Sequence, residues 1–258
     1  MTASRLRVAA LYDIHGNVPA LEAVLADVER AGVDLIVWGG DVAAGPLPVG
    51  TLARMRERGG RCVSGNADRQ MVEDFDVGRE PSDSDDEMMR TMLWSVAQID
   101  RADRDYLAAF EPTVSLDIDG LGPVLFCHGS PRSDDERITR ATPPERLAPM
   151  LEDVAERVVV CGHTHQQFDL RAGEHRVLNA GSVGMPYEGQ AAAFWLLLGP
   201  DVELRRTDYD VPAAVEAMRA TGMPDVDKIL LQESLIEPVD PEWVTRYFES
   251  GVAPPDQP

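Results

Sequence analysis

Leu11-Tyr12-Asp13-Ile14-His15-Gly16-Asn17 is the stretch on which the reading of the fold turns. It closes an apolar run, residues 5–11, and precedes a helical pattern that starts near Val18. The run predicts a buried strand. If the chain stays extended, Asp13 and His15 point to one face, because side chains alternate with period 2. Gly16 then lets the backbone turn sharply. A carboxylate and an imidazole at the C-terminal end of a strand suit a metal or a catalytic dyad, and they equally suit a plain polar turn. The choice between the two rests on what the rest of the chain brings to them.

Outward from this stretch the chain alternates strand and helix. Asn17 can cap a helix that carries Ala20, Leu21, Val24, Leu25 and Val28 on one face and stops near Gly32. A second strand over 34–39 delivers Gly40-Asp41. After a helix over 49–58, a third strand over 61–64 delivers Gly65-Asn66. Short βα units of this kind imply a parallel sheet with its site at the C-terminal ends of the strands. Residues 67–111 then hold no strand pattern and read as a helical insertion, a candidate cap, with Ser84-Asp85-Asp86-Glu87 as a capping box. Its methionines (Met71, Met88, Met89, Met92) either pack the cap onto the body or line a pocket. The second half reads as strands over 114–118, 124–127, 158–161, 167–170, 177–178, 192–198 and 202–206. A helix over 144–156 and C-terminal helices over 211–252 complete the pattern. The expected organisation is one domain, 1–258, with a frayed tail from Ala253.

Composition narrows the function classes. Over 258 residues, 45 acidic side chains against 24 basic ones give a formal charge of −21. Such a surface repels phosphate backbones and anionic membranes, so bulk nucleic-acid binding and membrane association are not expected. A phosphate substrate in a locally positive pocket remains compatible. No apolar run approaches a membrane span and none near the N-terminus resembles a signal segment, so a cytoplasmic location is expected. Cys62, Cys127 and Cys161 sit in strand-like runs without paired spacing and read as buried reduced thiols.

The loops that follow the predicted strands carry Asp13 and His15, Asp41, Asn66, His128, and His163 with His165. Four of the chain's five histidines lie in these loops; His175, the exception, reads as an edge residue. Imidazoles, carboxylates and an amide oxygen without thiolates suit Mn, Fe, Zn, Ni or Co ions with open water positions, rather than a closed structural zinc site. Asp41 can bridge two ions. Two ions about 3.5–4 Å apart hold the attacking and leaving oxygens of an in-line displacement, with a metal-bound hydroxide as nucleophile. Phosphoester hydrolysis is the reaction this chemistry serves.

Taken in order, Asp13-Ile14-His15-Gly16-Asn17, Gly39-Gly40-Asp41, Gly65-Asn66-Ala67-Asp68, Cys127-His128-Gly129 and Gly162-His163-Thr164-His165 resemble the five blocks of the calcineurin-like metallophosphoesterases. Asn179 to Gly184 resembles the late Gly-Ser loop of small bacterial members. The resemblance spans about residues 5–184. It implies an α/β fold, a four-layer αββα sandwich of two mixed β-sheets flanked by helices. It also implies one metal held by Asp13, His15, Asp41 and His165, and another by Asp41, Asn66, His128 and His163, with manganese the favoured ion. One departure stands out. Many members carry a His after the Asn ligand, to contact phosphate and assist the leaving group; here the residue is Ala67. No side-chain acid is therefore assigned, and a small phosphodiester is the expected substrate. The alternatives are a phosphomonoesterase, of protein phosphatase or dinucleoside polyphosphate hydrolase type, or a non-catalytic scaffold like the retromer subunit that shares the fold.

Three further residues are candidates for substrate contact or for orienting a ligand. Asn17 reads as a helix cap or a substrate contact. Asp68 is expected to orient a ligand imidazole. Arg132 could pair with a phosphate, or with Asp134 or Asp135. Tyr12 reads as packing. The apolar residues Ile229, Leu230, Leu231, Leu235, Ile236, Trp243 and Phe248 either pack onto the body or form a homodimer face.

Overall fold

The computed structural model describes residues 6–82 and 84–251. The tail expected from Ala253 lies outside the described residues. Two five-stranded mixed sheets stack on each other. The first has the order β10-β9-β1-β2-β3. Its central strands β1 (Val8–Leu11), β2 (Leu35–Trp38) and β3 (Arg61–Cys62) are parallel, and β9 (Ala193–Leu198) and β10 (Val202–Thr207) join antiparallel. The second has the order β4-β5-β6-β8-β7. In it β5 (Gly122–Cys127), β6 (Val158–Cys161) and β8 (His175–Asn179) run parallel, with β4 (Thr113–Ile118) and β7 (Phe168–Ala172) antiparallel at the edges.

Strand alternation sorts the core into three layers of contact. Val8 and Ala10 of β1 face the second sheet and meet Val124, Phe126, Val158 and Val160. Their neighbours Ala9 and Leu11 turn the other way, toward helices. There they meet the stripe of α1 (Val18–Ala31), whose Ala20, Leu21, Val24, Leu25 and Val28 are all buried. Asn17 caps α1 through the Ala20 N–H, and Gly32 closes it in the left-handed conformation. On the opposite flank, Val159, Cys161 and Val177 pack against Leu147, Met150 and Leu151 of α6 (Pro144–Leu151). The result is the helix–sheet–sheet–helix sandwich. Cys127 and Cys161 are buried free thiols, and Cys62 is half-buried.

The 67–111 segment holds three helices, α3 (Asn66–Val77), α4 (Glu87–Gln98) and α5 (Arg101–Leu107). Met71, Val96, Ile99 and Leu107 pack into the helical layer over the first sheet. The capping box at Ser84 is displaced: Asp86 is the N-cap of α4 and accepts from the Met89 N–H. Asp85 is instead taken by the Ser82 N–H and the Arg79 guanidinium, which closes a turn before the helix. The C-terminal helices α7 (Val211–Arg219), the widely wound α8 (Asp227–Ile236) and α9 (Pro241–Ser250) pack onto the body. Leu230, Leu231 and Leu235 bury against Met185, Ala214 and Met218, and Trp243 against Val239 and Tyr187.

Candidate metal centre

All seven predicted ligands converge where the parallel strands of both sheets end. The loop after β1 gives Asp13 and His15, that after β2 gives Asp41, and the start of α3 gives Asn66. The second sheet gives His128 after β5, and His163 and His165 after β6. The loops are tied to each other through their backbones. Asp13 and His15 donate their N–H groups to the carbonyls of Gly40 and Asp41, each at 3.0 Å, and the His163 N–H reaches Asp13 Oδ2 at 3.0 Å. Gly16 must be glycine: its φ is +66°, and a Cβ there would sit 2.8–2.9 Å from the Gly45–Leu47 backbone. A Cβ on Gly65 would collide with the Asp41 carboxylate.

Asp13 and His15 do not alternate from an extended strand, as the sequence suggested. The strand ends at Leu11. Asp13, His15, Asp41, His163 and His165 all have φ between 46° and 65°. Apart from Asp225, they are the only non-glycine residues with positive φ among the described residues. Left-handed backbone at a non-glycine residue costs roughly 1–3 kcal/mol and collects at functional sites. Here it turns successive side chains inward from loops instead of strands.

The side chains form two clusters of donor atoms, each within 4.8 Å: Asp13, His15 and His165, and Asp41, His128 and His163. Backbone carbonyls select the tautomers. Nδ1 of His128 donates to Gly39 O at 2.8 Å, that of His165 to Met185 O at 2.7 Å, and that of His15 to Ala44 O at 3.1 Å. In the neutral imidazoles Nε2 is then left with a bare lone pair. These lone pairs face each other and the carboxylates. His15 Nε2 lies 3.2 Å from His165 Nε2, which lies 3.3 Å from Asp13 Oδ1. His128 Nε2 lies 3.4 Å from Asp41 Oδ2. The Asn66 carboxamide points into the same cluster, 3.3 Å from Asp41 Oδ2, 3.1 Å from His128 Nε2 and 3.0 Å from His163 Nδ1.

Acceptor converging on acceptor is the signature of a cation site. Asp13 is fully buried, and its Oδ1 has no hydrogen-bond donor. An unpaired buried carboxylate oxygen is costly unless a cation compensates it. Titration in the bare protein points the same way. Burial pushes the Asp41 carboxyl up, but the imidazoles of His128, His15 and His163 outweigh that and hold it well below the carboxylate range. Asp13 is lowered likewise, burial opposing and His165 and His128 prevailing. Burial depresses His163 to about 4 and also lowers His15, with His165 adding to it. His128 is the exception. Burial would lower it, yet Asp41 and Asp13 lift it to about 10. The residues therefore fit a metal: the carboxylates are kept ionised, His15 and His163 are kept neutral, and the charge that lifts His128 is one a cation would meet in its place.

The three auxiliary residues behave differently from one another. Asn17 is a cap and a brace. Besides accepting from Ala20, it donates to Gly184 O at 3.0 Å and the Tyr209 hydroxyl at 3.2 Å, which leaves nothing for a substrate. Asp68 orients no imidazole. Its carboxylate accepts the N–H groups of Asp41, Val42 and Gly65 at 2.8–3.0 Å and so fixes the two loops that carry Asp41 and Asn66. Burial, with Asp41 nearby, raises its carboxyl to about 7. Arg132 pairs with Glu136 and the Pro149 carbonyl, neither of the partners expected, and lines a separate cavity on the His128 side. Asp134 and Asp135 are bound by Arg69 instead. Tyr12 is packing, with its hydroxyl on Val160 O. His175 lies away from the centre, on Glu156 O.

Sequence reasoning missed two groups. The orienting carbonyls of Gly39, Ala44 and Met185 carry no side-chain signal. Tyr187 stacks on His165, with centroids 5.0 Å apart and planes at 17°; only its place just after the Gly-Ser loop hinted at a role. That loop holds Asp13 from behind, with Ser182 Oγ donating to Asp13 O at 2.7 Å.

An αββα sandwich with carboxylate- and imidazole-bearing loops on its strand ends defines a metal-dependent phosphoesterase. Comparison with known proteins agrees: the sequence model of the calcineurin-like phosphoesterase superfamily domain matches residues 6–198. The chain belongs to that superfamily and is a hydrolase of the metallophosphoesterase class. It is 26% identical to a metallophosphoesterase of Sphaerobacter thermophilus, with a TM-score of 0.70 over 85% of this chain and 96% of that one. An uncharacterised protein of Methanocaldococcus jannaschii is 25% identical over 244 residues, 84% of this chain and 94% of its own. A hypothetical protein of Pyrococcus horikoshii shares the fold, with a TM-score of 0.75 at 18% identity over 87% and 98% of the two chains. No described helix is long and apolar enough to cross a membrane.

Proposed function

We propose that the chain is a cytoplasmic dinuclear phosphoesterase that hydrolyses a small phosphodiester. The observation that carries this reading is the pair of donor clusters side by side, with the buried Asp13 Oδ1 left without a hydrogen-bond donor. Asp13, His15, Asp41 and His165 would hold one ion, and Asp41, Asn66, His128 and His163 the other, with Asp41 between them. Two divalent cations there, manganese first among Mn, Fe, Zn, Ni and Co, supply a nucleophilic water at neutral pH and positive charge on the phosphoryl oxygens.

The protein's own part is placement. Three carbonyls hold the imidazoles in one tautomer, Asp68 holds the Asp41 and Asn66 loops, and burial keeps bulk water from the carboxylates. Ala67 brings no proton to the leaving group, which supports an ester whose alcohol departs unaided over an alkyl phosphomonoester. Asp41→Ala tests the reading. The variant is expected to lose bound manganese and at least about 10³-fold in phosphodiesterase kcat/KM. Full metal content together with full activity would contradict it.

A further inference from the structure

The donor clusters open into a cavity of about 250 Å³, bounded at its floor by His15, Asp41, Asn66, His163 and His165. Its far wall is Met88, Met92, Met185, Met223, Leu230 and Phe248. This wall comes from three separate parts of the chain: α4, the loop after β8, and the C-terminal helices with the turn between α7 and α8. Met223, Leu230 and Phe248 lie beyond residue 198, where the superfamily match ends. Four of the chain's ten methionines gather here. Met185, Met223 and Leu230 are buried and braced by Met218, Leu231 and Leu235. Met88, by contrast, is 57% exposed and stands at the mouth.

Chemistry, charge and size each limit what this space takes. Thioethers are polarizable and adapt to flat rings. Of the lining side chains away from the donor clusters only Thr91 and Tyr187 carry a hydroxyl. That of Thr91 is spent on the Glu87 and Met88 carbonyls, and the six wall side chains carry no proton donor, so an oxygen gaining negative charge is poorly served against that wall. The wall therefore suits the ester arm that stays on phosphorus rather than the one that leaves. No lysine or arginine lines the cavity among the described residues, and a second or third phosphate would find no partner in it. An apolar cavity of about 150 Å³ holds one benzene, so about 250 Å³ accommodates one ring-sized group.

We infer that this pocket selects phosphodiesters whose retained arm is a single compact apolar ring, and that it disfavours substrates with several phosphates. The inference rests on the phosphoesterase reading above. In the reaction, water adds its OH to phosphorus, the P–O bond to the other arm breaks, and the departing alcohol carries away the remaining proton. The product is the monoester of the retained arm.

Two esters with one leaving group test this: 4-nitrophenyl phenyl phosphate and 4-nitrophenyl methyl phosphate. They are assayed with the full chain and manganese, and each rate is divided by its rate in buffer. The phenyl ester is expected to be favoured about tenfold or more in kcat/KM, the factor that burying one ring supplies. Met88→Glu and Met92→Glu, on the mouth side of the wall, are each expected to bring that ratio toward one. Equal kcat/KM for the two esters overturns the inference, as does a preference that neither variant moves. Faster turnover of a dinucleoside polyphosphate than of the phenyl ester also overturns it. Turnover of neither ester by manganese-loaded protein contradicts the phosphoesterase reading itself, and so separates the two failures.

Discussion

At the scale of single residues, the centre depends on a carboxylate that faces no ligand ring. Asp68 takes three backbone N–H groups at zero exposure. Asp68→Ala would leave all three buried donors without an acceptor. Because a buried carboxylate also carries a desolvation penalty, the net loss is expected to be about 2–4 kcal/mol, measured as a lower urea midpoint at unchanged m-value. A fall below about 0.5 kcal/mol would show that the two loops do not need it. The sequence placed Asp68 beside the site but could not tell an imidazole partner from backbone ones, since both leave the same Asn-x-Asp pattern. Arg132 was misplaced for a similar reason: Glu136, four residues on, takes the guanidinium that Asp134 or Asp135 was expected to hold. The seven donors themselves were legible because each follows an apolar strand, in a loop that also carries a glycine.

At the scale of elements, legibility followed the strength of periodicity. α1 was readable because a cap, an apolar stripe and a stop glycine agree. The strands were found to within a residue or two, and β1 shows where the reading failed. Period-2 alternation was extended through Asp13 and His15, yet pairing stops at Leu11 and the loop takes up left-handed residues. Positive φ at Asp or His leaves no mark in sequence, because the price is borne by the fold around it. The turn before α4 misled in another way. Its run of Asp residues offered several caps, and Asp85 was claimed by Arg79 and Ser82. The C-terminal helices were visible as amphipathic segments, but their target was not. That they cover Met185 and wall the cavity depends on contacts about 40 residues apart, which no local pattern encodes.

For the whole molecule, the distribution of ligands over the two sheets has a thermodynamic consequence. Asp13, His15, Asp41 and Asn66 hang from the first sheet, and His128, His163 and His165 from the second. A cation shared between them joins the sheets and offsets part of the −21 charge. Binding to the folded state alone stabilises by about 2.7 kcal/mol at a ligand concentration of 100 Kd. Manganese is therefore expected to raise the Tm by several degrees, and EDTA to reverse it; magnesium, which favours oxygen ligands, should do less. An unchanged Tm at saturating manganese would mean that the ligands do not act across the sheets.

The protein is expected to hold two ions between these loops. Anomalous diffraction at the manganese edge from metal-loaded crystals tests it most directly. Two peaks are expected. One lies among Asp13, His15, His165 and Asp41, the other among Asp41, Asn66, His128 and His163. A single peak, or manganese bound elsewhere with these seven side chains unengaged, would contradict it.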